Sequence, residues 1–248
     1  MTRDEQEVLL GLLESFIDDS FITEVLEVVQ GGKEATVFRC AAGPRAGERL
    51  LAAKVYRPME RRNFRNDTMY QQGRVILNQR SRRAYESGTD FGRKVQYGRW
   101  VNSEYETQRA LFDAGADVPR PIACNGSAIL MQWIGDDHSA AAHLRHVKQM
   151  STNDARRLLD CVLSNIELML RNNTIHGDLS PYNILYWEGQ VILIDFPQAI
   201  DARTNPCAYS LLHRDVSNVC EFFARFGAVA DAHRIATRLW SRFLRAEL

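Results

Sequence analysis

Hydrophobic positions change their period along this chain, and the changes mark its elements. Residues 22–30 (Ile-Thr-Glu-Val-Leu-Glu-Val-Val-Gln) are rich in β-branched side chains and predict a strand. Gly31-Gly32-Lys33-Glu34-Ala35 interrupts them and Thr36-Val37-Phe38 resumes, so the pattern reads strand, glycine turn, strand. Leu51-Ala52-Ala53-Lys54-Val55-Tyr56 predicts an apolar strand with one lysine inside it. Trp100–Ala114 predicts a helix, with Val101, Tyr105, Ala110, Leu111 and Phe112 as apolar positions, Gly115 as its stop and Pro119 beyond. Ile184–Trp187 and Val191–Ile194 predict two short strands around Glu188-Gly189, a hairpin turn. Met1–Phe16 reads as an amphipathic helix packing on a larger body. A second amphipathic helix runs through Phe226, with Asp215 near its start.

Chemistry enters at His176-Gly177-Asp178-Leu179-Ser180-Pro181-Tyr182-Asn183, followed by Asp195 after a run of four apolar residues. Asp178 and Asn183 are five apart, the spacing of the H-R-D-x-x-x-x-N loop of phosphoryl-transfer enzymes. Folding the 184–194 hairpin brings Asn183 and Asp195 together at its open end. An amide oxygen beside a carboxylate suits Mg²⁺ carrying substrate phosphates. Asp178, just upstream, is placed to accept a proton from an attacking hydroxyl.

Phosphoryl transfer asks for more upstream. Backbone N–H groups of a glycine turn can face phosphate oxygens, although an ordinary hairpin explains residues 31–35 as well, and G-x-G-x-x-G is absent. Lys54 in an apolar strand wants a partner; an edge-strand lysine reaching for solvent is the plain alternative. The chain has four lysines (Lys33, Lys54, Lys94, Lys148) within 31 basic residues, and two of the four fall in the turn and on this strand. A compact point charge is what distinguishes lysine from arginine there. Glu104 and Glu106 both fall on the following helix and cannot share a face.

Taken together these pieces resemble the RIO family of atypical serine/threonine protein kinases. Gly32-Lys33-Glu34-Ala35 is similar to its GKE[AS] turn, Lys54-Val55-Tyr56 to its K-V-Y strand, and Ile129-Leu130-Met131-Gln132-Trp133-Ile134-Gly135 to its hinge. His176–Ser180 with Asn183 resembles H-[AG]-D-L-S-x-x-N, and Ile194-Asp195-Phe196-Pro197-Gln198 resembles I-D-x-x-Q. Arg214-Asp215-Val216-Ser217-Asn218 through Phe223 is similar to the family's R-D-x-x-N helix. The resemblance covers residues 22–226.

It implies an α+β, protein kinase-like fold of two lobes: a β-rich N-lobe over 1–131, a hinge at 132–135 and a helical, truncated C-lobe over 136–248. It implies transfer of the ATP γ-phosphate to a protein hydroxyl, autophosphorylation included, with Mg²⁺ or Mn²⁺ on Asn183 and Asp195. Asp178 is then the base, Ser180 replaces the lysine of the usual protein kinases, and Glu104 rather than Glu106 partners Lys54. Gly31, Gly32, Lys33, Glu34 and Ala35 line the phosphates. Met131 is the gatekeeper, and the Gln132 and Ile134 region binds adenine through its backbone.

Some wording departs from the pattern. Asp-Phe-Pro-Gln at 195–198 is that of the second RIO subfamily, whereas the long gap from Lys54 to Glu104 and the lack of room for a preceding winged helix fit the first. Gly31 stands where Ser or Thr is common. His213-Arg214-Asp215 spells H-R-D, but its asparagine is three residues on rather than five and no metal-loop acid follows, so it reads as structural. No A-P-E motif follows Asp195, so peptide-docking helices have little room.

Composition narrows the class. Five scattered cysteines without C-x-x-C exclude a zinc ribbon and a disulfide framework and fit reduced, cytoplasmic thiols. His138, His143 and His146 read as surface histidines. The first eight residues carry three acids and no apolar run approaches a membrane span, which predicts neither leader nor membrane contact. Net charge is zero, yet Arg57–Lys94 holds ten basic and four acidic residues with Phe64, Tyr70, Tyr85 and Phe91 interleaved. Such a segment can touch RNA, but with no fold-level RNA motif beside it a solvated insertion is the favoured reading; the resemblance implies ribosomal RNA or a pre-ribosomal particle as a neighbour. Two other functions stay open: an ATP-driven assembly switch, and a small-molecule kinase of the aminoglycoside or choline type, which shares H-G-D-L-x-x-x-N.

Overall fold

The computed structural model describes residues 3–32, 34–57 and 90–248, with side chains omitted at 3 and 90–96. Lys33 and most of the basic 57–94 segment lie outside the described residues. Among the described residues the chain divides into a sheet unit (residues up to 57, 90–106 and 119–134) and a helical unit (107–118 and 135–248).

The sheet unit is built on five antiparallel strands: β1 (Ile22–Gly31), β2 (Ala35–Ala42), β3 (Leu50–Tyr56), β4 (Pro121–Cys124) and β5 (Ala128–Gln132), in the order β1-β2-β3-β5-β4. Side chains alternate across a strand, and in β3 that alternation decides the chemistry. Leu51, Ala53 and Val55 face a core with Phe38, Cys40, Leu9, Leu13 and Phe16. Ala52 and Tyr56 face the other way, into a cluster with Val101, Ile129 and Met131. Lys54, between Ala52 and Tyr56 at the two-residue period, shares that second face. The amino-terminal helix is broken in two, α1 (Arg3–Gly11) and α2 (Glu14–Asp18). Leu9, Leu13 and Phe16 all reach the core, at the i, i+4, i+7 spacing that keeps one helical face continuous across the break.

Helix α3 (Asp90–Asp113) begins ten residues earlier than the apolar pattern predicts. Its buried stripe is Val101, Glu104, Gln108 and Leu111, so two polar residues occupy positions a period count treats as solvent-facing. Gly115 ends it with φ +88°, its N–H donating to Phe112 O at 2.9 Å.

The helical unit packs α4 (Thr152–Arg171), α5 (Ala208–Ala224) and α6 (Ala232–Leu244) around Leu158, Val162, Ile166, Leu212, Val216, Phe223 and Leu239. Ser151 caps α4 by accepting the Asp154 N–H, and Asp231 caps α6 by accepting the Arg234 N–H. Two short strands, β7 (Thr174–Ile175) and β10 (Ile200–Asp201), pair with each other. β6 (Ala142–His143), β8 (Ile184–Trp187) and β9 (Gln190–Leu193) form a small sheet. The β8–β9 turn is Glu188-Gly189, both residues at positive φ (47° and 77°), as a two-residue hairpin requires. His143 precedes and His146 ends a short 3₁₀ turn (Leu144–His146), so the two do not lie on an α-helix.

Asp215 lies in the middle of α5, which starts at Ala208, and is 1% exposed. The expected helix-start position is therefore corrected: Ala208–Arg214 is already helical and carries the buried apolar positions Leu211 and Leu212.

Candidate active site

In the sheet unit the two-residue spacing of β3 and the helical stripe of α3 meet at one ion pair. Lys54 Nζ donates to Glu104 Oε1 at 2.6 Å, and the Tyr56 hydroxyl donates to Glu104 Oε2. Glu104 is 2% exposed, so both carboxylate oxygens find their partners inside the protein. Tyr56 is itself held: its carbonyl accepts from the Tyr97 hydroxyl at 2.6 Å and its ring meets Trp100 edge-on at 4.9 Å. Glu106 is exposed on another face of α3. Tyr56 was not foreseen as part of this group. Its signal was present, since a residue two after Lys54 on a strand shares its face.

At the glycine turn the Gly32 N–H donates to Ala35 O at 2.8 Å, and Glu34 O accepts from the Arg57 N–H at 2.9 Å. A Cβ on Gly32 would lie 3.1 Å from Ala35 O, whereas one on Gly31 would meet open space. The Gly32 N–H is thus committed within the hairpin. Met131 pairs with Ala52 across β3 and is 9% exposed. In the hinge region the Gln132 N–H donates to Arg120 O at 2.8 Å and is engaged within the sheet unit. That N–H was needed to hold the Arg120 backbone beside β5.

In the helical unit the loop between β7 and β8 carries Asp178, Ser180 and Asn183. Its path is fixed from below by α5. Asp215 Oδ2 accepts the Gly177 N–H at 2.8 Å and Oδ1 accepts the Leu179 N–H at 3.0 Å. Asn218 Nδ2 donates to Leu179 O at 2.9 Å and the Arg214 guanidinium donates to Gly177 O. Arg214, Asp215 and Asn218, within about one helical turn, therefore grip Gly177 and Leu179, the residues on either side of Asp178. His176, fully buried, donates from Nε2 to Ile194 O at 3.1 Å and tilts against the Phe196 ring at 4.9 Å. This ties the loop to the segment that bears Asp195.

The hairpin brings Asn183 beside Ile194, the residue before Asp195, the Ile194 N–H donating to Asn183 O at 3.0 Å. Asn183 Nδ2 donates to Asp178 O at 2.8 Å and to Asp178 Oδ2 at 3.3 Å. With its nitrogen spent there, Oδ1 is the group left to face a cation. Asp195 has φ +73°, a left-handed backbone that a non-glycine residue adopts at a cost and that recurs where a loop must aim a side chain. Ser180 shapes the loop: its carbonyl accepts from Asn183 N at 2.9 Å and its hydroxyl from Tyr182 N at 3.4 Å.

Electrostatics follow this geometry. Partial enclosure of the Asp178 carboxyl raises its pKa; Arg214 opposes this, Asp195 adds to it and the Asn183 amide opposes it. Burial pushes Asp215 up to about 7, against the Gly177 and Leu179 N–H groups and Arg214. Two oxygens of different type, Asn183 Oδ1 and the Asp195 carboxylate, make a hard donor set that fits Mg²⁺ together with phosphate oxygens. Among the described residues no group of three His, Cys, Asp or Glu side chains is assembled for a metal, and none of the described helices is long and apolar enough to cross a membrane.

The family model for the RIO domain matches residues 36–235. The RIO-type serine/threonine-protein kinase Rio1 of Haloferax volcanii is 30% identical over 232 residues, covering 88% of this chain and 73% of that protein. The Methanocaldococcus jannaschii protein of the same name is 30% identical over 219 residues, covering 87% of this chain and 68% of that one. The human serine/threonine-protein kinase RIO1 is also 30% identical, but this chain spans only 36% of its length. Among solved structures, the Rio2 kinase–ADP/Mg²⁺–phosphoaspartate complex from Chaetomium thermophilum has a TM-score of 0.64 at 21% identity, covering 98% of this chain and 70% of that one. That likeness carries the α+β kinase fold, and the relatives named Rio1 are consistent with the first RIO subfamily. The chain belongs to the RIO family of atypical serine/threonine protein kinases.

Proposed function

We propose that this chain moves the γ-phosphate of ATP to a serine or threonine hydroxyl of a protein, itself included. The observation that carries the reading is the Asn183 side chain. Its nitrogen holds Asp178 by backbone and carboxylate together, which orients the base and turns the amide oxygen toward a cation. Asp178 accepts the proton as the hydroxyl attacks, and its raised pKa brings it nearer to neutral operation. Lys54, oriented by Glu104, meets phosphate oxygens as a point charge. When bound, Mg²⁺ neutralises charge on the phosphates; Asn183 and Asp195 are the residues to hold it. Ser180 supplies no positive charge where usual kinases carry lysine, so transfer is slow.

The test is incubation with Mg²⁺ and γ-labelled ATP followed by mass spectrometry. Phosphoserine or phosphothreonine, absent in D178N, is expected. Nucleotide turnover without any phosphorylated hydroxyl contradicts the reading.

One observation favours a second reading. The Rio2 complex similar in fold was captured as a phosphoaspartate. In an ATPase switch a carboxylate of Asp178 or Asp195 accepts the phosphoryl group and water later releases it. A hydroxylamine-labile phosphate on the chain is its signature, and serine or threonine phosphate stable to hydroxylamine speaks for the first.

A further inference from the structure

On the helical unit, apart from the catalytic loop, α4, α6 and the 227–231 loop enclose a groove of about 600 Å³. Its apolar lining includes Leu163, Val229 and Ile235, and its rim carries Arg156, Arg234 and Arg238 with one acid, Asp160. We propose that this groove docks a short acidic segment of a partner protein, one that carries aliphatic side chains among its carboxylates.

Three features support this occupant. First, Val229 is 82% exposed although its loop is tightly built. Thr152 Oγ1 donates to Phe226 O at 3.0 Å, the Gly227 N–H donates to Ala224 O at 3.0 Å, and Ala228 beside it is 1% exposed. Gly227 has φ +84°, and a Cβ there would sit 3.0 Å from Thr152 Oγ1, so the glycine permits the close approach. An aliphatic side chain presented on a fixed loop is a preformed contact with little left to order on binding.

Second, the charge is one-sided. Among the described residues Arg156, Arg234 and Arg238 form no ion pair, whereas neighbouring Arg157 bonds Gly189 O and Arg242 pairs with Glu167. Asp231, at the start of α6, is occupied in capping that helix. Arg234 and Arg238 stand one turn apart on α6, and Arg156 faces them from α4. Guanidinium groups recognise carboxylates by paired hydrogen bonds.

Third, the lining selects peptide over nucleic acid. It offers only aliphatic side chains for apolar contact, and no aromatic ring on which a base can stack. A volume of this size accommodates two or three side chains.

The experiment is fluorescence anisotropy on the full chain, with a labelled 12-residue peptide of Glu-Glu-Leu repeats as probe. Comparison probes are a Glu-Glu-Ala peptide, a Lys-Lys-Leu peptide and a 12-nucleotide oligouridine. Saturable binding of the Glu-Glu-Leu peptide is expected, with both comparison peptides bound more weakly. R234E/R238E and V229D should each weaken it about tenfold or more, a loss of about 1.4 kcal/mol. All three side chains are exposed, so both variants should keep the wild-type circular dichroism and phosphotransfer rate. Unchanged affinity in the folded variants overturns the proposal, and so does the absence of saturable binding. Tight oligouridine binding that depends on the arginines but not on Val229 overturns it in favour of nucleic acid. Because binding is read without turnover, failure here is separable from failure of the kinase reading.

Discussion

Asp215 illustrates how a residue can be essential without touching substrate. It is a buried carboxylate whose two oxygens hold two backbone N–H groups on either side of Asp178. D215N keeps one acceptor and leaves one of those N–H groups facing an amide that cannot accept. The expected loss is about 1–3 kcal/mol in chemical denaturation, with a lowered transfer rate from a loosened loop. The pH dependence has a definite sign. With its folded pKa raised to about 7, Asp215 keeps its proton in the folded chain where the unfolded chain has lost it. Its contribution to stability is therefore full at low pH and is lost as pH rises from the ordinary carboxylate range through about 7. Thermal unfolding of wild type and D215N between pH 4 and 8 should show the downward slope in wild type only. A slope shared by both variants removes Asp215 as its cause. Asp178 and Asp195 were legible in the sequence because the five-residue spacing to Asn183 marks the first and the short hairpin after Asn183 leads to the second. The grip of Asp215 was not, since 36 or more residues separate it from the N–H groups it holds. The i, i+1, i+4 arrangement of Arg214, Asp215 and Asn218 on one helix was the available signal.

At the scale of elements, β3 and α3 act through their periods. The strand places Ala52, Lys54 and Tyr56 on one face, and the helix answers with Val101 and Glu104. Strand positions were readable because β-branched runs and glycine turns are local. The early start of α3 was not, because Asp90–Arg99 lacks an apolar stripe. The resulting pair gives a two-part prediction. K54A should abolish transfer, and should also destabilise the fold by about 3 kcal/mol, because it strands a carboxylate that is 2% exposed. K54A/E104Q should recover most of that stability and none of the activity. Denaturant titration and rate measurements on the same samples check both; recovered activity in the double variant removes Lys54 from the phosphates. Y56F, which leaves Glu104 one partner short, should cost about 1–2 kcal/mol and raise KM for ATP rather than abolish kcat.

For the whole molecule, the family match over residues 36–235 takes in both units. Each unit has its own apolar core, the five cysteines are free thiols, and among the described residues no group of three His, Cys, Asp or Glu side chains is gathered for a metal. Chelation should therefore leave circular dichroism unchanged and stop transfer. Mg²⁺ with ATP at about 100 times its Kd should stabilise the chain by about 2.7 kcal/mol, seen as a raised Tm. D195A should lose the Mg²⁺-dependent part of that rise; an undiminished rise places the cation elsewhere. The central claim is that Asp178 is the base of a phosphoryl transfer. Single-turnover transfer from Mg·ATP by folded D178N tests it most directly. The account predicts a rate lowered by about 10²–10⁴-fold with ATP affinity retained. A D178N rate within a few-fold of wild type contradicts it.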